Sequence, residues 1–179
     1  ATNETNYIFS IPENITTTVN SGTATFSEID IYQGTFVRNS FVVDGSLDQR
    51  FILNNSFIDT STITVYVKGP SDSGLGREYQ LVDNILNLSS SSEIYLIQEV
   101  QDEKYELLFG DGYFGKKLEN ESVVTVTYII TDGIEGNGAS NFAFSGRFLD
   151  SLNNVVVPTN SITITTNNRA SNGGDIEAI

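Results

Sequence analysis

The sequence predicts an all-β protein: one or two antiparallel β modules, sandwich or meander, with at most one short helix. Three observations carry that expectation. Apolar and polar residues alternate in many short runs, the two-residue period of a half-buried strand. Hydrophobic residues make up 39% of the 179 and charged ones only 18%, so Asn, Ser and Thr must cover much of the surface. The abundant Thr, Val, Ile, Tyr and Phe suit a pleated sheet better than a helix.

Along the chain, Tyr7, Phe9 and Ile11 alternate first, then Ile29 and Ile31, then Phe41 and Val43. Ile63, Val65 and Val67 share one face of a half-buried strand whose other face carries Thr62, Thr64 and Tyr66, and Gly69-Pro70 closes it. Over residues 77–88, Leu81, Val82, Ile85 and Leu86 are spaced so that one helix could gather them into a stripe; helix and non-helix both stay open there. The serines at 89–92 form a loop. Residues 94–100 and 104–109 read as a hairpin around Gln101-Asp102-Glu103. The strand over 122–130 has Val124, Val126, Tyr128 and Ile130 on one face and Val123, Thr125, Thr127 and Ile129 on the other, so it is expected to be covered on both sides. These three strands predict a meander over 93–130, with Gly110 or Gly112 at positive φ where the chain reverses. Val155-Val156-Val157-Pro158 and a last strand alternating Ile162 and Ile164 with Thr163 and Thr165 end the pattern. The expected organisation is an N-terminal β module over 1–92, a β-meander module with the glycine turn over 93–166, and a mobile linker over 167–179. The linker holds too little apolar surface to offset the entropy of ordering it.

Composition narrows the chemistry. With no His and no Cys, Ser–His and Cys–His nucleophiles, imidazole and thiolate metal sites and disulfides are ruled out. No catalytic, cofactor-binding or metal-ligating residue is assigned, and no cofactor is expected. Nine Lys plus Arg against 23 Asp plus Glu give a net charge of −14, which repels phosphate backbones, so nucleic acid is not an expected partner. No run approaches the roughly 20 apolar residues of a membrane span, so no membrane partner is expected either. The absence of Met predicts a piece of a longer product. Glu99, Asp102, Glu103, Glu106 and Asp111 gather around the hairpin. They could supply a carboxylate pair for glycoside hydrolysis, but solvated turn and edge charge is the favoured reading, since 23 acids must fall somewhere. Asp111-Gly112 and Asp132-Gly133 lack the alternating oxygen series of a calcium loop and read as turns. The glycines over 133–138 do not follow a phosphate-binding pattern.

From Tyr105 the sequence becomes specific. Phe109-Gly110-Asp111-Gly112 with Gly115, the strand over 123–130, and then Gly133, Gly136 and Asn137 together resemble the strand, FGDG turn, strand and GN loop of the baseplate J-like family. Gly173-Gly174-Asp175-Ile176-Glu177 is similar to the GG-x-D-x-E element that opens that family's next region. Gln33-Gly34-Thr35-Phe36 and Phe41-Val42-Val43-Asp44 are similar to its T-even-type branch. One departure is Glu121, where the family commonly has Gly. The resemblance implies a non-catalytic structural protein of a contractile-tailed bacteriophage, a wedge component of the virion's tail baseplate, with assembly in the host cytoplasm. It further implies docking onto other baseplate wedge subunits, through interfaces that rearrange when the sheath contracts, and a homodimer in the full-length protein. The helical core that joins the copies is expected outside this segment. A different class, a carbohydrate-binding β-sandwich of a secreted or virion-surface protein, is permitted by the Tyr and Phe content and the Asn-rich surface.

Overall fold

The computed structural model describes residues 6–84 and 88–174. The chain divides into two compact units, one running up to Asp132 and one spanning Gly133–Asp175. The larger unit opens with four two-residue strands: β1 (Phe9–Ser10), β2 (Val19–Asn20), β3 (Thr23–Ala24) and β4 (Tyr32–Gln33). β1 pairs with β4 and β2 with β3, both antiparallel.

Seven further strands follow: β5 (Thr35–Val42), β6 (Phe51–Leu53), β7 (Ile58–Lys68), β8 (Arg77–Leu81), β9 (Ile94–Val100), β10 (Lys104–Phe109) and β11 (Val123–Ile130). They form one sheet in the order β5-β11-β7-β8-β9-β10-β6. All neighbours are antiparallel except β8 and β9, which run parallel with Gln80 opposite Ile94. The sheet is strongly rolled. Six inter-strand spacings of about 4.8 Å would hold the edges of a flat sheet about 29 Å apart. Here Phe41 on one edge strand and Phe51 on the other meet edge-to-face with ring centroids 5.7 Å apart. Rolling encloses a single core, in which Leu53, Val65, Val124 and Val126 are fully buried.

The alternation in β7 and β11 translates directly into this core. Ile63, Val65 and Val67 point inward, as do Val124, Val126 and Tyr128. Thr127 and Ile129 are buried as well, so the second half of β11 is covered on both faces, while Val123 and Thr125 in its first half are only half-buried. The Tyr128 hydroxyl accepts from Asn39 Nδ2 (2.9 Å) and donates to Asn55 Oδ1 (2.5 Å), so its polar end is satisfied. The β11–β7 register slips between Thr127 and Ile129. At that bulge the Thr62 hydroxyl takes the Ile129 amide proton at 3.0 Å, replacing a lost ladder bond.

The structure departs from the sequence reading in several places. Arg77–Leu81 is strand β8, not helix; residues 85–87 of that stretch lie outside the described residues. The physical reason lies in the topology, because a parallel neighbour requires a long crossover between strands, and the chain after Leu81 supplies it. The predicted hairpin is present, with Lys104 opposite Val100 and Phe109 opposite Tyr95. The meander is not. β6 occupies the far side of β10, with Ile52 opposite Glu106, and β11 inserts between β5 and β7. One sheet therefore draws strands from both sides of residue 92, where a module boundary was expected, and the chain divides instead after Asp132.

The smaller unit contains a 3₁₀ turn, Gly133–Gly136, and the antiparallel pair β12 (Phe148–Leu149) and β13 (Val155–Val156). Ile162 and Ile164 belong to no strand and are 48% and 44% exposed. Their alternation has no partner strand among the described residues. Residues 167–174, expected as a mobile linker, include Ala170, which exchanges backbone hydrogen bonds with the segment at Gly138-Ala139: Gly138 N donates to Ala170 O (2.8 Å) and Ala170 N to Ala139 O (2.9 Å).

Candidate functional site

The glycine turn leaves the end of β10, where Phe109 packs edge-to-face on Phe51 (5.1 Å) and Tyr79 (6.0 Å). Asp111 then folds the chain back. Its Oδ1 accepts the amides of Tyr113 (2.8 Å) and Phe114 (2.9 Å), and those two bonds, Phe114's first, hold its carboxyl below the usual aspartate value. Gly112 sits at φ +94° and donates to Gly115 O at 3.0 Å. Gly110 has no positive φ; it is required for space, since a Cβ there would collide with the Gly115 backbone. The loop is also docked from below: Gly115 N donates to Ser89 O (3.0 Å) and Lys116 N to Ser92 O (2.7 Å). Lys116 Nζ and Arg77 share Glu93 Oε1 at 3.0 and 3.2 Å. This pinned loop exposes two aromatics at its tip, Tyr113 (82%) and Phe114 (53%).

The second cluster lies within the smaller unit. Gly133 and Gly136 bound the 3₁₀ turn, and Asn137 N closes it on Ile134 O at 3.0 Å. The Asn137 side chain then clasps a residue far along the sequence: its Nδ2 donates to Gly173 O and its Oδ1 accepts Gly173 N, each at 2.9 Å. The amide mimics a strand neighbour, satisfying both backbone groups of one residue. Gly173 comes so near the Gly133 carbonyl that a side chain there would not fit. The GN loop and the GG element, separated by 36 positions, are thus brought together at Gly133, Asn137, Gly173 and Gly174. Asp175 and Glu177 lie outside the described residues. Phe109, Gly110, Asp111, Gly112 and Gly115 form their own cluster in the larger unit.

Glu106, expected among the solvated edge charges of the hairpin, is not solvated. β6 covers β10, leaving Glu106 7% exposed, and Arg50 grips it bidentately, Nε to Oε1 at 2.8 Å and Nη2 to Oε2 at 2.6 Å. The Arg50 hydrogen bonds, against an opposing burial effect and with the help of its charge, hold the Glu106 carboxyl below its ordinary value of 4.5. Asp102 and Glu103 do occupy the exposed hairpin tip, at φ +66° and +55°. Gln33 was not assigned a role, yet it ties β4 to the end of the larger unit: its Oε1 accepts Thr131 Oγ1 (2.8 Å) and Asp132 N (2.9 Å), and its Nε2 donates to Asp132 Oδ2 (2.8 Å). The only signal for it was its place in the Gln33-Gly34-Thr35-Phe36 stretch. Glu121, where the resembling family commonly has Gly, sits at φ +65°, in the left-handed region that favours glycine.

A pH consequence follows from the Arg50–Glu106 pair. A carboxyl depressed in the folded state stabilises the protein fully above its unfolded value and loses that contribution as pH falls through the folded value. Acid titration of the unfolding midpoint should therefore decline below about pH 4.5, and Glu106→Gln should make that decline shallower. An identical acid limb in the variant would remove Glu106 from the account.

No family model matches the chain. The chain is similar to a phage baseplate wedge protein. That relative is baseplate wedge protein gp6 of Enterobacteria phage T4, 26% identical over 147 residues, which cover 74% of this chain and 21% of the relative. The relationship is distant, and the chain spans about a fifth of the length of the curated relative it matches. Among the described residues no group of three or more Asp and Glu is arranged to hold a metal ion. Of the carboxylates around the hairpin, Glu106 is held by Arg50 and Asp111 by its own loop amides, while Asp102 and Glu103 lie at the exposed tip.

Proposed function

We propose that this chain is a non-catalytic structural segment of a phage tail baseplate wedge protein, a member of the baseplate J-like group. The similarity to gp6 over 74% of the chain carries the reading. The two glycine-dependent clusters support it, because Gly110, Asp111, Gly112 and Gly115 in one and Gly133, Asn137 and Gly173 in the other are engaged in backbone packing and hydrogen bonding. In this role the rolled sheet is a stiff block. Its neighbours would be other wedge subunits and, in the full-length protein, a second copy, with the interfaces rearranging as the sheath contracts. Assembly would take place in the host cytoplasm before incorporation into the virion.

The test is localisation. A Fab raised against this chain and imaged by cryo-electron microscopy on purified virions of the source phage should decorate the baseplate end of the tail. Decoration of the capsid or the fibre tips alone, or failure to bind either intact virions or detergent-opened tails, would refute the assignment.

A further inference from the structure

The smaller unit leaves several aliphatic residues uncovered. Leu149, Leu152, Val155 and Val157 are 56–79% exposed, and among the described residues of this unit only Gly136 is buried. It also differs in charge. Within residues 133–174, Glu135 and Asp150 are balanced by Arg147 and Arg169, so this stretch contributes no net charge to the chain's −14. Between Asp150 and Arg169 there is no charged residue at all. Two copies of the chain repel through their acidic larger units, whereas the stretch 151–168 can approach its equivalent without that penalty.

Inside that stretch lies Ser161-Ile162-Thr163-Ile164-Thr165. It belongs to no strand, and no backbone hydrogen bond within the described residues engages it. The nearest tie is at its end, where Thr166 Oγ1 donates to Ser140 O at 2.7 Å. Beyond that tie, Ser140, Asn141 and Phe142 stand across an open recess of about 420 Å³ from Ile164, Thr165 and Thr166. An uncharged, β-branched, unpaired segment is a template for another strand.

We propose that two copies of this chain associate by antiparallel pairing of residues 161–165, centred on Thr163. The segment is complementary to itself in that arrangement. Thr163 opposes Thr163 of the second copy, Ile162 opposes its Ile164, and Ser161 opposes its Thr165. Each is a favourable cross-strand pair, and the backbone groups left open within one copy are satisfied by the other. The contact uses the same patch on both copies, the closed two-fold arrangement of most homodimers. It differs from the helical core expected elsewhere in the full-length protein, and it stands whether or not the baseplate reading does.

The chain contains no cysteine, so one introduced thiol reports on one place. Directly opposed residues in antiparallel strands hold their Cα atoms about 4.5–5.5 Å apart, within the roughly 4.4–6.8 Å that a disulfide spans. Mild oxidation of the full chain carrying Thr163→Cys should give disulfide dimers at least about tenfold faster than Leu47→Cys, because pairing raises the local thiol concentration. Leu47, 95% exposed on the larger unit, is the control for random encounter. Sedimentation velocity of the unsubstituted chain should show a concentration-dependent monomer–dimer equilibrium. The double variant Ile162→Asp, Ile164→Asp should shift it to monomer with its circular dichroism unchanged. A chain that stays monomeric at every concentration, equal cross-linking at the two positions, or a dimer surviving in the double variant would each overturn the proposal.

Discussion

Gly110→Val should destabilise the larger unit by about 3 kcal/mol or more, and Gly112→Val by about 1–2 kcal/mol, read as shifts in the denaturant midpoint at constant slope. From sequence the two glycines look equivalent, both flanking Asp111 in a reversing chain. The structure separates them. Gly112 carries the positive φ, and its hypothetical Cβ meets only the Lys117 side chain at 3.7 Å, so a substitution there costs backbone strain alone. Gly110 has an ordinary φ, but a Cβ would have to occupy the space of the Gly115 backbone. Either the glycine loop lifts off the serine turn at Ser89 and Ser92, or β10 shifts against β6 and β9. Against a typical total of about 5–15 kcal/mol, the Gly110 variant should be visibly less stable. Equal midpoints for the two variants would mean that the loop is free to move away.

Phe51→Ala is expected to cost about 3–5 kcal/mol, the range for deleting a buried ring. Phe51 lies on the three-residue edge strand β6 and touches Phe41 across the closing seam and Phe109 along the sheet. Its loss would open the roll as well as leave a cavity. Phe114→Ala provides the contrast: that ring is 53% exposed on the glycine loop, and its removal should change stability by no more than about 0.5 kcal/mol. A Phe51 variant as mild as the Phe114 variant would mean that the two edges are held together by something other than this seam.

Long strands with a buried face were legible from sequence because burial stamps a two-residue period on them, as in β7, β9, β10 and β11. Their pairing was not. Nothing local tells Arg50 that it will meet Glu106, 56 positions away, or tells β10 that β6 rather than β11 will lie beside it. β8 was ambiguous because Leu81 and Val82 belong to a strand ending and a crossover beginning, and their spacing imitates a helical stripe. The alternation at Ile162 and Ile164 was read as a strand because periodicity reports what a segment can pair with, and the described residues supply no partner. The glycine turn was legible as a turn, with one positive φ correctly expected, but the steric demand at Gly110 comes from Gly115 folding back over it. Similarly, Asn137 and Gly173 were picked out by resemblance alone. The clasp between them depends on tertiary placement that no pattern encodes.

The position of β11 in the sheet also sets the order in which the protein can be made. β5 hydrogen-bonds within the sheet only to β11, and β11 is the last of the seven strands to be synthesised. Until residue 130 has left the ribosome, Thr35–Val42 has no sheet neighbour and one side of Ile58–Lys68 stays open. The nascent chain can assemble β7 to β10 with β6, but it cannot close the roll. Two unpaired strand edges are therefore exposed from the synthesis of β7 until β11 emerges, the condition under which β proteins mispair with one another. Completion of β11 ends that exposure at both edges in a single step, so maturation of the larger unit is governed by the arrival of one late segment and not by gradual accretion from the N-terminus.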